Sequence, residues 1–249
     1  MKIASFITAR LKSQRLKRKV LLPICGRPML SHLIDRLKLS KKCQQIVLCT
    51  STIKEDDDLE NFAIREGVDC FRGHPDDVML RLRDAADFYK TDIISSCTAD
   101  NPLIDNLSMD DLIDYHINGK FDFSISKNIP FGTFTMTVNS SSLDKACDIK
   151  DSAETEFWPQ YFLRTNQFKL GELVHNKIYS NSDIRLTVDE KPDFELMNII
   201  FSNLHKSNKI FSLEDVIKFL DKNPELKKIN SNVKQKIPSE IKLKRNLAA

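Results

Sequence analysis

Glycine is scarce in this chain, six residues of 249. Where it occurs it spells neither a G-x-x-x-x-G-K-[ST] phosphate loop nor a G-x-G-x-x-G dinucleotide turn, so both of those backbone cradles for phosphate are excluded. No C-x-x-C pair joins the six cysteines. Their density is far below that of a small stapled secreted domain, and they read as reduced packing residues rather than metal ligands. No run approaches the roughly 18 consecutive apolar residues of a membrane span, and the first residues show no charged leader followed by an apolar core. A cytoplasmic protein without a membrane partner is expected. The net charge of +3 is too small to suggest nucleic acid as a partner. No internal repeat is evident.

What is present begins with a rhythm. Strand-like apolar runs at residues 3–9, 46–50, 69–72, 92–97 and 121–126 alternate with helix-period segments at 28–40, 54–66, 75–89 and 109–118. Short connections between such units predict an α/β fold with a mainly parallel, doubly wound sheet flanked by helices. Ligands then belong at the carboxyl ends of the strands. From Pro130 the rhythm breaks into a period-2 run, FGTFTMTVNS, a helix at 143–148 and the aromatic stretch EFWPQYFL. This reads as a small β-containing excursion over about 130–165. A strand ending at Asp189 and a helix opening at Pro192 return to the sheet, proline being suited to a first helical turn. With 41% hydrophobic residues, residues 1–225 form one domain around one sizeable core, and the lysine-rich tail 226–249 reads as an exposed arm.

Charge is unevenly spread. Arg10, Lys12, Arg15, Lys17, Arg18 and Lys19 crowd the loop after the first strand, while the acidic runs at 55–60 and 105–114 read as helix starts. Arginine forks onto phosphate oxygens and lysine serves as a mobile point charge, so the loop suits a polyphosphate. Charge alone is equally compatible with a solvated surface. Asp100 in TADNPLID and Asp189 in LTVDEKPD follow two further strands. Brought together beside the basic loop, they would suit Mg²⁺, which takes one or two protein carboxylates and completes its shell with phosphate oxygens and water. Taken singly, each reads as a helix-initiating aspartate. His32, His116, His175 and His205 read as helix or surface histidines, which leaves no residue favoured as a general base.

Five motifs occur in order: A-R-x-x-S-x-R-L-x-x-K-V-L-L-P-I-x-G-R-P-M-L, T-S-T before an acidic stretch, F-R-G-x-x-D-D-V-x-x-R, T-A-D-N-P-L-I-D, and R-L-T-V-D-E-x-x-D-F-E-L. Across about residues 2–205 the chain resembles cytidylyltransferases of the spore-coat polysaccharide type. These are related to the enzymes that activate 3-deoxy-manno-octulosonate and acylneuraminate. The resemblance implies a Rossmann-like nucleotidyltransferase fold that takes CTP, passes the cytidylyl group to an acceptor and releases pyrophosphate. It places Ala9, Arg10, Ser13, Arg15 and Lys19 on the nucleotide loop. Gly73, His74, Asp77 and Arg81 fall near base and ribose, Thr98 and Asp100 on the metal-and-nucleotide motif, and Asp189 on the second metal position. Arg15, Lys19, Asp100 and Asp189 are thereby the expected catalytic set.

The chain also departs from the family. Lys12, Lys17 and Arg18 stand where Gly, Pro and Gly are usual, and Phe157, in the excursion expected to serve the acceptor and dimerisation, stands where a histidine is, near the expected acceptor pocket. The added cations, with Lys127, favour a small anionic acceptor, an acidic sugar or a sugar or polyol phosphate for a surface glycan. The aromatic supply at Phe131, Phe134, Phe157, Trp158, Tyr161 and Phe162 suggests a homodimer built by the 130–165 segment. Two rival readings stand beside this one. A sugar-1-phosphate nucleotidyltransferase using UTP or dTTP is disfavoured by the lack of a G-x-G-T-R-L loop, and a non-catalytic nucleotide binder by the retention of both aspartates.

Overall fold

Alternate side chains of the first strand enter two separate cores: Ile3 and Ile7 pack on one face of the sheet, Ala4 and Phe6 on the other. The elements in the first half are β1 (Ile3–Thr8), β2 (Pro23–Ile24), β3 (Arg27–Pro28), α1 (Met29–Leu37), β4 (Gln45–Ser51), α2 (Asp57–Glu66), β5 (Asp69–Gly73), α3 (Val78–Tyr89) and β6 (Ile93–Thr98). They are followed by α4 (Asn106–Gly119), β7 (Phe123–Lys127), β8 (Met136–Asn139), α5 (Ser140–Ile149), α6 (Pro159–Leu163), β9 (Leu170–Val174), α7 (Lys191–Leu204) and α8 (Leu213–Lys222). The computed structural model describes residues 1–13, 15–175, 184–206, 209–238 and 240–244. Gln14 of the basic loop, Asp183 ahead of the last expected strand and residues 245–249 of the tail lie outside them.

The large sheet has seven strands in the order β5-β4-β1-β6-β8-β7-β9. The first four are parallel; β8 runs antiparallel to both neighbours, and β7 and β9 are parallel to each other. Leu48 of β4 and Ile93 of β6 join the core of Ile3 and Ile7, whereas Val47, Cys49 and Ile94 join the core of Phe6. Strands covered on both faces are apolar at successive positions, which is why they read as continuous runs. Each fully buried Phe, Leu or Ile side chain contributes about 1.5–3 kcal/mol.

Register positions the site. Thr8 of β1 pairs with Thr98 of β6, so the two strands end level and the loops that follow leave side by side. The Ala99 amide donates to the Thr8 carbonyl at 3.0 Å and fixes that departure. The basic loop then enters a β2–β3 hairpin, where Cys25 and Gly26 adopt φ 46° and 78°, the positive values of a type I′ turn.

Several boundaries differ from the sequence reading, each for a local reason. Helix α3 opens at Val78 rather than near residue 75, because the Asp77 carboxylate accepts from the Leu80 amide at 3.0 Å. Asp105 does the same for Ser108 at 2.9 Å, so α4 opens at Asn106. The period-2 run yields only the four residues of β8. Residues 184–189 do not form a strand: Arg185 makes a single bridge, to Phe131. Their backbone is held instead by Leu186 N donating to Phe131 O at 2.7 Å and Val188 N to Asp100 O at 2.9 Å. Gly132 permits this approach, since a Cβ there would lie 2.4 Å from the Thr187 amide nitrogen.

Two segments of the second half pack more closely than their sequence suggests. Trp158, Tyr161 and Phe162 are buried with Phe123 in the second core, and Phe131 alone of the six aromatics is classed as exposed. The aromatic supply that suggested an interface is largely used inside the chain's own core. The tail, expected as an exposed arm, folds back at two places. Asn230 is 3% exposed and donates to Arg185 O and Asp193 Oδ1 at 3.0 and 2.9 Å, while Leu243 bridges to Lys150.

Candidate active site

The basic loop is fixed from beneath by Asp56. This buried carboxylate accepts from the Leu11 amide at 2.7 Å and from the Ser51 hydroxyl at the end of β4. Arg10 then reaches across to the entrance of α3, donating to Pro75 O at 2.7 Å and pairing with Asp76 at 2.9 Å. Arg18 takes φ 51°, in the left-handed region. The turn that glycine would allow freely is therefore kept by arginine, at a cost of about 1–2 kcal/mol. Its guanidinium pairs with Asp58 at 2.6 Å, facing α2. Of the three departures in the loop, Lys12 alone lines the cleft.

The loop ends on the two aspartates. Lys19 Nζ lies 2.6 Å from Asp100 Oδ2 and 2.8 Å from Asp189 Oδ1. Two carboxylate oxygens from loops 89 positions apart thus converge on one cation. Thr98 Oγ1 donates to Asp100 Oδ1 at 2.5 Å. Arg15 and Arg185 pair with Asp189 at 2.9 and 2.6 Å, and Arg15 also reaches Glu190 at 3.4 Å. Burial opposes ionisation of Asp189, but Lys19, Arg15 and Arg185 outweigh it and hold its carboxyl below the usual range. Burial likewise pulls the Lys19 ammonium down, and Asp100 and Asp189 more than reverse it, so its pKa is raised.

Beneath Asp189 sits Asp193, 1% exposed. Its Oδ2 accepts from the Asp189 and Glu190 amides at 2.9 and 3.0 Å, and its Oδ1 from Arg185 Nε at 2.9 Å. Together with Glu190 it forms the capping box of α7. The same helix start thus presents Asp189 and orients the arginine that neutralises it. Sequence reading gave Arg185 no role, although it opens the R-L-T-V-D-E motif.

Ala9, Arg10, Ser13, Arg15, Lys19, Arg81, Thr98, Asp100 and Asp189 all line one cleft of about 710 Å³, a volume suited to a small-molecule ligand. Arg81 is 1% exposed, and its Nε and Nη1 find no partner among the described residues. A buried guanidinium with orphan donors on a cleft wall marks a place for an acceptor group of the ligand. Burial, and to a lesser degree Arg10, lowers its pKa.

Gly73, His74 and Asp77 do not line the cleft but build its wall. A Cβ at Gly73 would lie 3.0 Å from Arg81 Cγ, so the missing side chain seats Arg81. His74 Nδ1 accepts from the Asp76 and Asp77 amides at 3.2 and 2.9 Å. Asp77 is buried against Lys150, with Thr155 Oγ1 donating to it at 2.7 Å. Lys127, expected near the acceptor, lies at the end of β7 and pairs at 3.4 Å with Glu172 of the adjacent β9. The histidines are structural: His32 bonds to Ile24 O, His116 to Ser124 and Asn139, and His175 to Ser126. Glu156 and Trp158, from the stretch expected near the acceptor, line the cleft, and so do Lys234 and Lys236 of the tail, which nothing in the sequence reading placed there.

The two aspartates supply hard oxygen donors at a single point, and no group of three metal-ligating side chains occurs among the described residues. Such a pair fits Mg²⁺, whose remaining positions go to substrate and water.

Comparison with known proteins bears on this site. The cytidylyltransferase family matches residues 4–236, a span that includes the loop, both aspartates and the tail at the cleft. A structure titled as a cytidylyltransferase from Leptospira borgpetersenii serovar Hardjo-bovis superposes with a TM-score of 0.84 at 31% identity, covering 96% of this chain and 100% of that one. An uncharacterized protein of Methanocaldococcus jannaschii is 37% identical over 245 residues, 97% of this chain and 99% of its own. The spore coat polysaccharide biosynthesis protein SpsF of Bacillus subtilis is 27% identical over 231 residues, 90% of this chain and 95% of its own. With the match running through the whole sheet and both carboxylates, this nucleotidyltransferase belongs to the cytidylyltransferase family.

Proposed function

We propose that the protein transfers CMP from CTP, with Mg²⁺, to a small anionic acceptor and releases pyrophosphate, supplying activated precursors for surface glycans. The observation that carries this reading is the convergence of Asp100 and Asp189 on one cation position beside a loop of arginines and lysines. Family membership supports CTP as the nucleotide, and similarity to the spore coat polysaccharide biosynthesis protein of Bacillus subtilis supports a polysaccharide precursor.

The acceptor oxygen attacks the α-phosphorus in line with departing pyrophosphate. Catalysis is then positioning and charge stabilisation, with no covalent enzyme intermediate. Asp100 and Asp189 would hold Mg²⁺, which would supply Lewis-acid neutralisation of the phosphates. Arg15 and Lys19 compensate charge on the leaving group. The Lys19 ammonium, which the two aspartates hold in this structure, would be released to the phosphate oxygens once those carboxylates hold the metal. Arg10 and Ser13 orient the phosphate chain, and Arg81 offers its free donors to the nucleotide. An acceptor whose attacking oxygen is already anionic needs no general base. Seven cations against four carboxylates line the cleft, a balance that favours such an anion. The proposal includes a homodimer, with Phe131, 38% exposed, available at the 130–165 segment. It also includes a cytoplasmic location, where CTP is made. No helix among the described residues is long and apolar enough to cross a membrane.

Pyrophosphate release is the test, measured with CTP, UTP, ATP and GTP against sugar acids, sugar phosphates and polyol phosphates. CTP should exceed the others by at least about tenfold, a difference of 1.4 kcal/mol. A preference for UTP, or turnover with neutral acceptors alone, would reject the proposal.

A further inference from the structure

The tail brings two cations to the cleft from outside every motif. After α8 the chain makes a 3₁₀ turn at Pro224–Lys228 and is pinned at Asn230 to Arg185 O and Asp193. Beyond this anchor, Gln235 Oε1 accepts from Arg185 Nη1. Lys236 pairs with Glu156, its Nζ lying 5.3 Å from the centroid of the Phe157 ring. The segment therefore runs between the arginine that holds Asp189 and the turn that precedes α6. On the way Lys234 and Lys236 join the lining of the cleft.

These cations come from a different part of the chain than those of the loop. Arg10, Lys12, Arg15 and Lys19 arrive from the basic loop and Arg81 from α3. In-line displacement requires the acceptor to approach opposite the leaving pyrophosphate, away from the cations that hold it. The cleft-lining lysines that come from neither the loop nor α3 are Lys234 and Lys236, carried by the tail. Lys234 makes no hydrogen bond or ion pair among the described residues, and the partner of Lys236 is an exposed carboxylate in the same cleft. Two exposed ammonium groups, one free and one loosely paired, can be transferred to an incoming anion at little cost, because an exposed ion pair is worth little.

We propose that residues 230–236 form the acceptor-selecting wall. Lys234 and Lys236 bind the anionic group of the acceptor, and Glu156 retains Lys236 until that group displaces it. The inference rests on the cytidylyltransferase reading of the site and adds to it the residues that choose the second substrate.

Trp158 is the single tryptophan of the chain and lines the same cleft, so its fluorescence reports occupancy in the full-length protein. CTP with Mg²⁺ is titrated first. Inorganic phosphate and a 3-deoxy sugar acid are then titrated separately into CTP-loaded and CTP-free protein. Lys234→Gln with Lys236→Gln should leave CTP affinity within about threefold and weaken both anions about tenfold. Glu156→Gln, which frees Lys236, should tighten them. The proposal is overturned if the double variant binds both anions as the parent does, if neither anion binds the CTP-loaded parent, or if CTP affinity falls in parallel, which would assign the lysines to the triphosphate. Failure of the parent to bind CTP while it binds UTP would sink the nucleotide reading instead, and the CTP-free titrations would still decide the role of the wall.

Discussion

The entrance to α3 and the entrance to α7 each present a buried aspartate with a lysine partner, and the two have opposite fates. Asp77, 1% exposed, has its oxygens taken by the Leu80 amide, Thr155 Oγ1 and Lys150, all of them structural groups. Asp189, 8% exposed, is held by Lys19, Arg15 and Arg185, of which the first two also line the cleft. Burial and charge pairing are common to both. The difference lies in what the partners are attached to: Asp77 ties α3 to the segment after α5, whereas Asp189 faces cations that a substrate can also use.

The largest effect expected from this contrast is catalytic. Asp100→Ala or Asp189→Ala should reduce kcat about 10³-fold or more. Single-turnover assays on folded protein check this, and near-parental turnover in both variants would remove the metal assignment. Asp77→Ala should act on stability instead. It strands Lys150 in a nearly buried position and removes a helix cap, at a combined cost of about 3–5 kcal/mol. Thermal melts should show a fall of about 10 °C, while kcat per folded molecule stays within about threefold. If Asp77→Ala instead lost turnover without losing stability, the two entrances would not differ in the way described.

A smaller effect concerns acid. Since the folded pKa of Asp189 is depressed, its stabilisation is fully present above its unfolded value of about 3.9 and is lost as pH falls through the lower folded value. Denaturant unfolding at stepped pH should show that contribution in the parent. Asp189→Asn should flatten the corresponding part of the curve; an unchanged acid slope would contradict the role of its three cations.

Much of the fold was legible because β1, β4 and β6 are covered on both faces and so read as apolar runs. Helix starts were legible only to the extent that their caps were recognised, and Asp77 and Asp105 moved two of them. The approach of 184–189 to Asp100 could not be read as a strand, because single backbone bonds and the bare Cα of Gly132 hold it rather than a ladder. Arg18 and Lys127 misled because residue type gives charge but not direction, and both point to acidic neighbours on adjacent elements. The tail was illegible for another reason. Its place depends on contacts such as Gln235 to Arg185, 50 positions apart, which no local pattern encodes.

The position of Lys19 between Asp100 and Asp189 bears on how the protein survives between turnovers. Two carboxylates facing each other without a counter-charge would repel, and a fold built around them would wait for an ion before closing, as small zinc domains do. Here the chain carries its own counter-ion on a flexible stem. Folding would then not wait for the proposed metal, and a chelator should silence turnover while leaving the melting temperature within about 2 °C of the untreated protein. A large fall on chelation would mean that Lys19, Arg15 and Arg185 do not supply that counter-charge.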